Sequence, residues 1–163
     1  MRTLRTWRVR VHPGVQRPGA PGCGCAGTVP GTARDMAADI AQRFIDALHT
    51  LETGGSADEL VALYTDDAVC GNTTTARTFD GPDGAREFWL AYREVFGDIH
   101  SEFRAVVRGD AAAALEWTST GTLSGGTPIA YEGVTLLHVD GDRIARSTAY
   151  FDPRAMLGST GAA

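Results

Sequence analysis

The chain has 163 residues, 43% of them hydrophobic and 21% charged, with a formal net charge of −5. That length and balance describe one globular domain and exclude a disordered or collagen-like chain. No run approaches the roughly 18 apolar residues of a membrane-spanning helix, so a cytoplasmic protein with no membrane partner is expected.

The charge is unevenly spread. There is no Lys, and six of the Arg (Arg2, Arg5, Arg8, Arg10, Arg17, Arg34) fall in residues 1–34, which hold no acid; the rest of the chain sets nine Arg against 20 acids. An acidic body repels phosphate backbones, so no nucleic-acid partner is expected. Residues 1–34 also hold four of the seven Pro and show no apolar period. They read as a disordered leader, either a basic arm or an over-extended start ahead of Met36. Residues 158–163 read as a flexible tail. Cys23 and Cys25 have no second Cys/His cluster near them, Cys70 stands alone, and the four His show no ligand spacing. Neither metal nor cofactor is expected.

From Asp35 the pattern turns helical. Ile40, Phe44, Leu48 and Leu51 recur at helical spacing, and Thr53-Gly54-Gly55 ends the segment. Ser56 and Glu59 predict a capping box for a short second helix that carries Leu60, Val61 and Leu63 and ends near Tyr64-Thr65-Asp66. An extended piece, Ala68–Asn72, follows. Gly81-Pro82-Asp83 opens a third helix with Ala85, Trp89, Tyr92 and Phe96 on one stripe, closed by Gly97. Strands are expected over Ser101–Arg108, Ala112–Leu123, Thr127–Val139 and Arg143–Phe151, joined by Gly-containing turns. Helices first and a meander after predict an α+β domain over residues 35–157: a cone-shaped, curved antiparallel sheet packed on three N-terminal helices and enclosing a pocket.

Three stretches carry a resemblance: Leu63–Val69, Phe79–Phe88, and Asp142–Ile144 with Tyr150–Asp152. In this order they resemble the nuclear transport factor 2-like superfamily, and within it the SnoaL-like proteins, over about residues 36–157. The resemblance implies the fold and leaves function open, because the superfamily holds isomerases, cyclases, epoxide hydrolases, dehydratases and binding domains. Where polyketide-cyclase-like relatives carry an acid, this chain has Ala149. Where limonene-epoxide-hydrolase-like relatives carry an Arg and an Asp, it has Trp117 and Ser119; their Tyr and Asn fall on Cys70 and Asn72. The fold is kept, and the known acid–base sets are largely gone.

Side chains alternate along a strand. With Ser119 inward, Leu115, Trp117 and Gly121 face in as well, and the resemblance favours Tyr131, Gly133, Thr135, Ala149 and Phe151 on the same side. Trp89, Tyr92 and Phe96 from the third helix, with Cys70 and Asn72, complete an expected pocket for a small apolar molecule. Trp89 and Phe96 suit a core better than a ligand contact, and Asn72 suits a turn. The expected function is a cyclase or isomerase type of enzyme acting on an apolar, polyketide- or terpenoid-like metabolite. It would hold a folded conformer, with Asn72, Ser119 and Tyr131 donating hydrogen bonds to a developing oxyanion. A non-catalytic ligand-binding or dimerising domain is the alternative. An epoxide hydrolase is third, disfavoured by the missing Arg and Asp. The outer sheet face (Glu116, Thr118, Val134, Leu136, His138) is expected to join two copies as a homodimer.

Overall fold

The computed structural model describes residues 33–157 apart from Ala76. The expectations for the leader up to residue 32 and for residues 158–163 lie outside the described residues. Helix α1 (Ala33–Glu52) buries the stripe read from its spacing: Ile40, Phe44, Leu48 and Leu51 all lie in the main core. Each such side chain contributes about 1.5–3 kcal/mol by leaving water.

Helix α2 is a single turn, Asp58–Val61, and the capping box does not form. Ser56 Oγ accepts from the amide of Asp58 instead (3.1 Å) and donates to that residue's carboxylate. The nearer acid thus displaces Glu59 from the role. The helix stops before Leu63 because Leu63's carbonyl accepts from the Ile144 amide (2.7 Å). The chain is therefore already extended at Tyr64, and β1 runs Tyr64–Asn72. A two-residue strand, β2 (Phe79–Asp80), leads into α3 (Gly81–Val95).

Gly97 does not close α3. Phe96 leaves the helix directly in extended conformation (φ −111°, ψ 139°) and opens β3 (Phe96–Arg108), five residues before the expected start. The last carbonyls of the helix find other donors: Val95 accepts from the Ser124 amide (2.9 Å), and Arg93 accepts from the Phe96 amide. A glycine cap is then unnecessary. Strands β4 (Ala112–Leu123) and β6 (Arg143–Phe151) match their expected limits, and β5 (Pro128–Asp140) is shifted by one residue. A 3-10 helix, Pro153–Leu157, ends the described chain.

The six strands form one sheet in the order β2-β1-β6-β5-β4-β3. The expected meander is antiparallel, while β1 runs parallel to β6. Register shifts in β3, one between Phe103 and Ala105, mark the irregularities that bend and twist a strand. The result is an open, curved α+β sheet.

Register arranges the inner face in rows. Ser101, Ser119 and Tyr131 stand side by side on β3, β4 and β5. The next row is Phe103, Trp117, Gly133 and Phe151, and the one after it Leu115, Thr135, Ala149 and Asn72. Gly133 has a steric reason to be glycine: a Cβ there would come within 2.7 Å of the Trp117 ring and collide with the Tyr150 carbonyl. Gly133→Ala should therefore cost about 1–3 kcal/mol in urea unfolding, as overpacking does, and should shift tryptophan emission. An unchanged midpoint would mean that the ring and strand yield freely.

Candidate functional site

Between the helices and the inner sheet face lies a cavity of about 380 Å³, within the range of small-molecule sites. Its walls are mostly rings. Trp117, Tyr131 and Phe151 meet with centroids 5.3 to 6.2 Å apart, and Phe96 stacks on Tyr131 at 6.3 Å. From α3, Tyr92 packs edge-on against both Trp89 and Phe96. Such tilted and edge-to-face contacts favour ring quadrupoles and hold the planes apart.

One polar row ends at a carboxylate that the helical stripe conceals. Glu52, the last residue of α1, is 4% exposed. Its Oε1 accepts from the Tyr92 hydroxyl (2.8 Å) and the Ser101 hydroxyl (2.6 Å), and its Oε2 from the Ser101 amide (2.9 Å). An ionised carboxylate accepts only, so the Ser101 proton points to Glu52. Ser101 Oγ lies 2.7 Å from Ser119 Oγ. With the Ser101 proton committed, Ser119 must donate to Ser101. The free lone pairs of Ser119 are then the acceptor for Tyr131 or for a ligand.

Burial and the nearby charge of Glu52 keep the phenols neutral. Tyr131 is pushed up to about 12, by burial first, with the neighbouring Ser119 hydroxyl opposing and the Glu52 charge adding. Tyr92 is driven further above the usual phenol range by burial and then by Glu52.

The opposite end of the cavity has the reverse polarity. Trp117 Nε1 donates to Thr135 Oγ1 (3.0 Å), which leaves the Thr135 proton free. Trp89 Nε1 donates to the Tyr64 hydroxyl (3.2 Å), which lies 2.9 Å from Ser147 Oγ. Either hydroxyl of that pair can donate; when Tyr64 does, the Ser147 proton is left for a ligand. Both Thr135 and Ser147 line the cavity.

Nine of the ten expected site residues line this space: Asn72, Trp89, Tyr92, Phe96, Trp117, Ser119, Tyr131, Ala149 and Phe151. Cys70 does not; it is buried in the main core. Asn72 is separated from Ser119 and Tyr131, standing opposite Ala149 on the far side of the aromatic row. Its Oδ1 closes a turn by accepting from the Thr74 and Thr75 amides and the Thr74 hydroxyl, which leaves Nδ2 as its remaining donor. Ser119 is oriented as an acceptor, against the expected donor role. Glu52 and Ser101 were not expected; Glu52 continues the Phe44–Leu48 spacing by one more turn, the one available signal. The fold also brings together His49, Glu52 and His100, whose ligand atoms lie within 4.8 Å of one another.

Residues 41–147 match the family model of the SnoaL-like domain. Solved structures give the same fold at low identity. A protein assigned as a SnoaL-like polyketide cyclase, from Jannaschia sp. CCS1, superposes with a TM-score of 0.69 at 14% identity, covering 84% of this chain and 99% of that one. A hypothetical protein with a ketosteroid isomerase-like fold from Catenulispora acidiphila, solved with trimethylamine, gives 0.65 at 19%, covering 73% and 89%. An epoxide hydrolase of M. tuberculosis, similar to limonene epoxide hydrolase, gives 0.59 at 21%, covering 76% and 88%. At these identities the likeness carries the fold alone. No curated protein matches the sequence.

Cys70 offers a check on its core placement. Burial, and then the charge of Asp80, push its thiol up to about 12. At pH 8 roughly one thiol in ten thousand would be ionised. In a Cys23→Ser/Cys25→Ser variant, Ellman's reagent should detect no thiol before denaturation and one after it. Rapid reaction of the native protein would put Cys70 at an accessible surface.

Proposed function

The chain belongs to the SnoaL-like domain family, and we propose that it is a cyclase or isomerase type of enzyme that moves a hydroxyl proton of an apolar, polyketide- or terpenoid-like carbonyl compound. The observation that carries this reading is the directed row of hydroxyls ending at Glu52. An enol or phenol donating to Ser119, directly or through Tyr131, stands at the head of that row. Its proton moves to the first hydroxyl oxygen as each hydroxyl passes its own proton along and Glu52 receives the last. The ligand keeps the electron pair as an enolate. That enolate either attacks a carbonyl carbon of the same molecule, forming a C–C bond as the carbonyl π bond breaks to an alkoxide that regains the proton held by Glu52, or takes that proton back at carbon, shifting the double bond. Thr135, Ser147 and the Asn72 amide supply donors for the ligand's carbonyl oxygens. Tyr131 and Thr135 are four residues apart on β5, about 13 Å along the strand, which suits a polycyclic ligand with polar groups at both ends. Its apolar middle would lie against Trp117 and Phe151.

Solvent deuterium incorporation beside the carbonyl of polycyclic 1,3-diketones tests the reading. The wild-type protein should accelerate exchange. Glu52→Gln and Ser119→Ala should lose roughly 10²-fold or more of that acceleration while diketone binding, followed by tryptophan quenching, changes far less. Binding without any acceleration would favour the non-catalytic ligand-binding reading.

The protein is also proposed to be a cytoplasmic homodimer joined through the outer sheet face; among the described residues no helix is long and apolar enough to cross a membrane. Val134 and Tyr150 face each other across β5 and β6 and are both exposed. Beside them Arg104 bridges Glu116 and Glu132 at 3.2 and 3.0 Å. An apolar centre with a charged rim is how subunit interfaces are built. Light scattering at micromolar concentration should give twice the chain mass, and Val134→Glu should give a monomer. A monomeric wild type would refute the arrangement.

A further inference from the structure

We propose that His49, Glu52 and His100 form a binding site for a divalent cation of the zinc class where the end of α1 meets β3. The three residues each offer one ligand atom, all within 4.8 Å of one another. His49 and Glu52 are three apart at the helix terminus and so share a face. His100 precedes Ser101, whose amide and hydroxyl anchor the Glu52 carboxylate. The His49 and His100 rings stack with centroids 5.6 Å apart.

The donor bookkeeping supports the site. A carboxylate has about four acceptor positions; Glu52 fills two on Oε1 and one on Oε2. One position on Oε2 is therefore open on a side chain that is nearly sealed from solvent. His49 Nε2 lies 2.8 Å from the Ser101 carbonyl. A carbonyl only accepts, so the proton sits on Nε2 and Nδ1 keeps its lone pair. A bond from one ring nitrogen to a backbone carbonyl is how metal-binding imidazoles are commonly oriented. Phe103 packs against the same ring at 5.8 Å and limits its motion.

His100 is exposed, so it opens the site to solvent. Binding an ion would require the three ligand atoms to draw together, to the roughly 2.0–2.2 Å ligand distances of zinc. Two imidazoles and a carboxylate suit Zn²⁺, Co²⁺ or Ni²⁺ better than Mg²⁺ or Ca²⁺, which take oxygen ligands. An ion held there would draw on the carboxylate that terminates the hydroxyl row.

The test uses the full chain carrying His12→Gln, Cys23→Ser and Cys25→Ser, which removes the leader's own ligands. Calorimetric titration with Zn²⁺, and visible absorption with Co²⁺, should show one ion bound. His49→Gln and His100→Gln should each weaken binding by more than about tenfold, the lower end of the loss when even an outer partner is removed. His100→Gln changes an exposed side chain, so its circular dichroism should match the parent and its result decides if His49→Gln folds poorly. Absence of Zn²⁺ binding, or binding unchanged in His100→Gln, would overturn the site.

Discussion

A carboxylate enclosed by protein must be given donors, since leaving it unpaired costs several kcal/mol. Glu52 receives three, from Tyr92 on α3 and from the amide and hydroxyl of Ser101 on β3. Those bonds tie the end of α1 to both the third helix and the sheet, and they set the separation of the layers. They also remove freedom from the hydroxyls beyond. With Ser101 held as a donor, the polarity of Ser119 follows, and with it the kind of group that a ligand can present at that end of the cavity.

The rest of the cavity depends on rings that cannot close over it. Trp117, Tyr131 and Phe151 brace one another at large interplanar angles, so they border a space without stacking flat and filling it. Gly133 lies beneath the Trp117 ring, where any side chain would push the indole out. The indole in turn fixes Thr135 by donating to it. Each ring thus serves packing and polarity together, and loss of one contact changes what its neighbour offers.

The elements that were legible in the sequence are those decided by local period. The stripe of α1, the limits of β4 and β6, and the shared facing of Trp117 and Ser119 follow from helical spacing or alternation, while the inward facing of Tyr131 is what the resemblance implies. The elements that were not legible are decided by partners far along the chain. Helix α2 stops early because Leu63 bonds to Ile144, and Phe96 turns straight into β3 because the amides of Ser124 and Phe96 satisfy the carbonyls of Val95 and Arg93 that a glycine cap would have served. The site divides in the same way. Strand parity gathers the rings, but the row Ser101–Ser119–Tyr131 exists only once the register of three strands is known. Glu52 is hidden at the end of an apolar stripe, and His49 and His100 lie 51 positions apart, where no ligand spacing could join them.

The location of the acid also bears on ligand binding. The resemblance to cyclase-like and epoxide-hydrolase-like relatives would put charged groups on the strands, at positions held here by Ala149, Trp117 and Ser119. On this sheet those positions are uncharged, and the carboxylate stands behind Ser101 and Ser119 on the helix side. A carboxylate facing the cavity would be stripped of water each time an apolar ligand entered, and affinity would suffer by that amount. Glu52 is already desolvated and hydrogen-bonded in the folded chain, so that cost falls on folding. A ligand therefore meets neutral hydroxyls whose direction has been fixed in advance. Such preorganisation is the condition under which fixed dipoles act most strongly on developing charge, and it lets a cavity with an apolar lining keep an acid within reach of its contents.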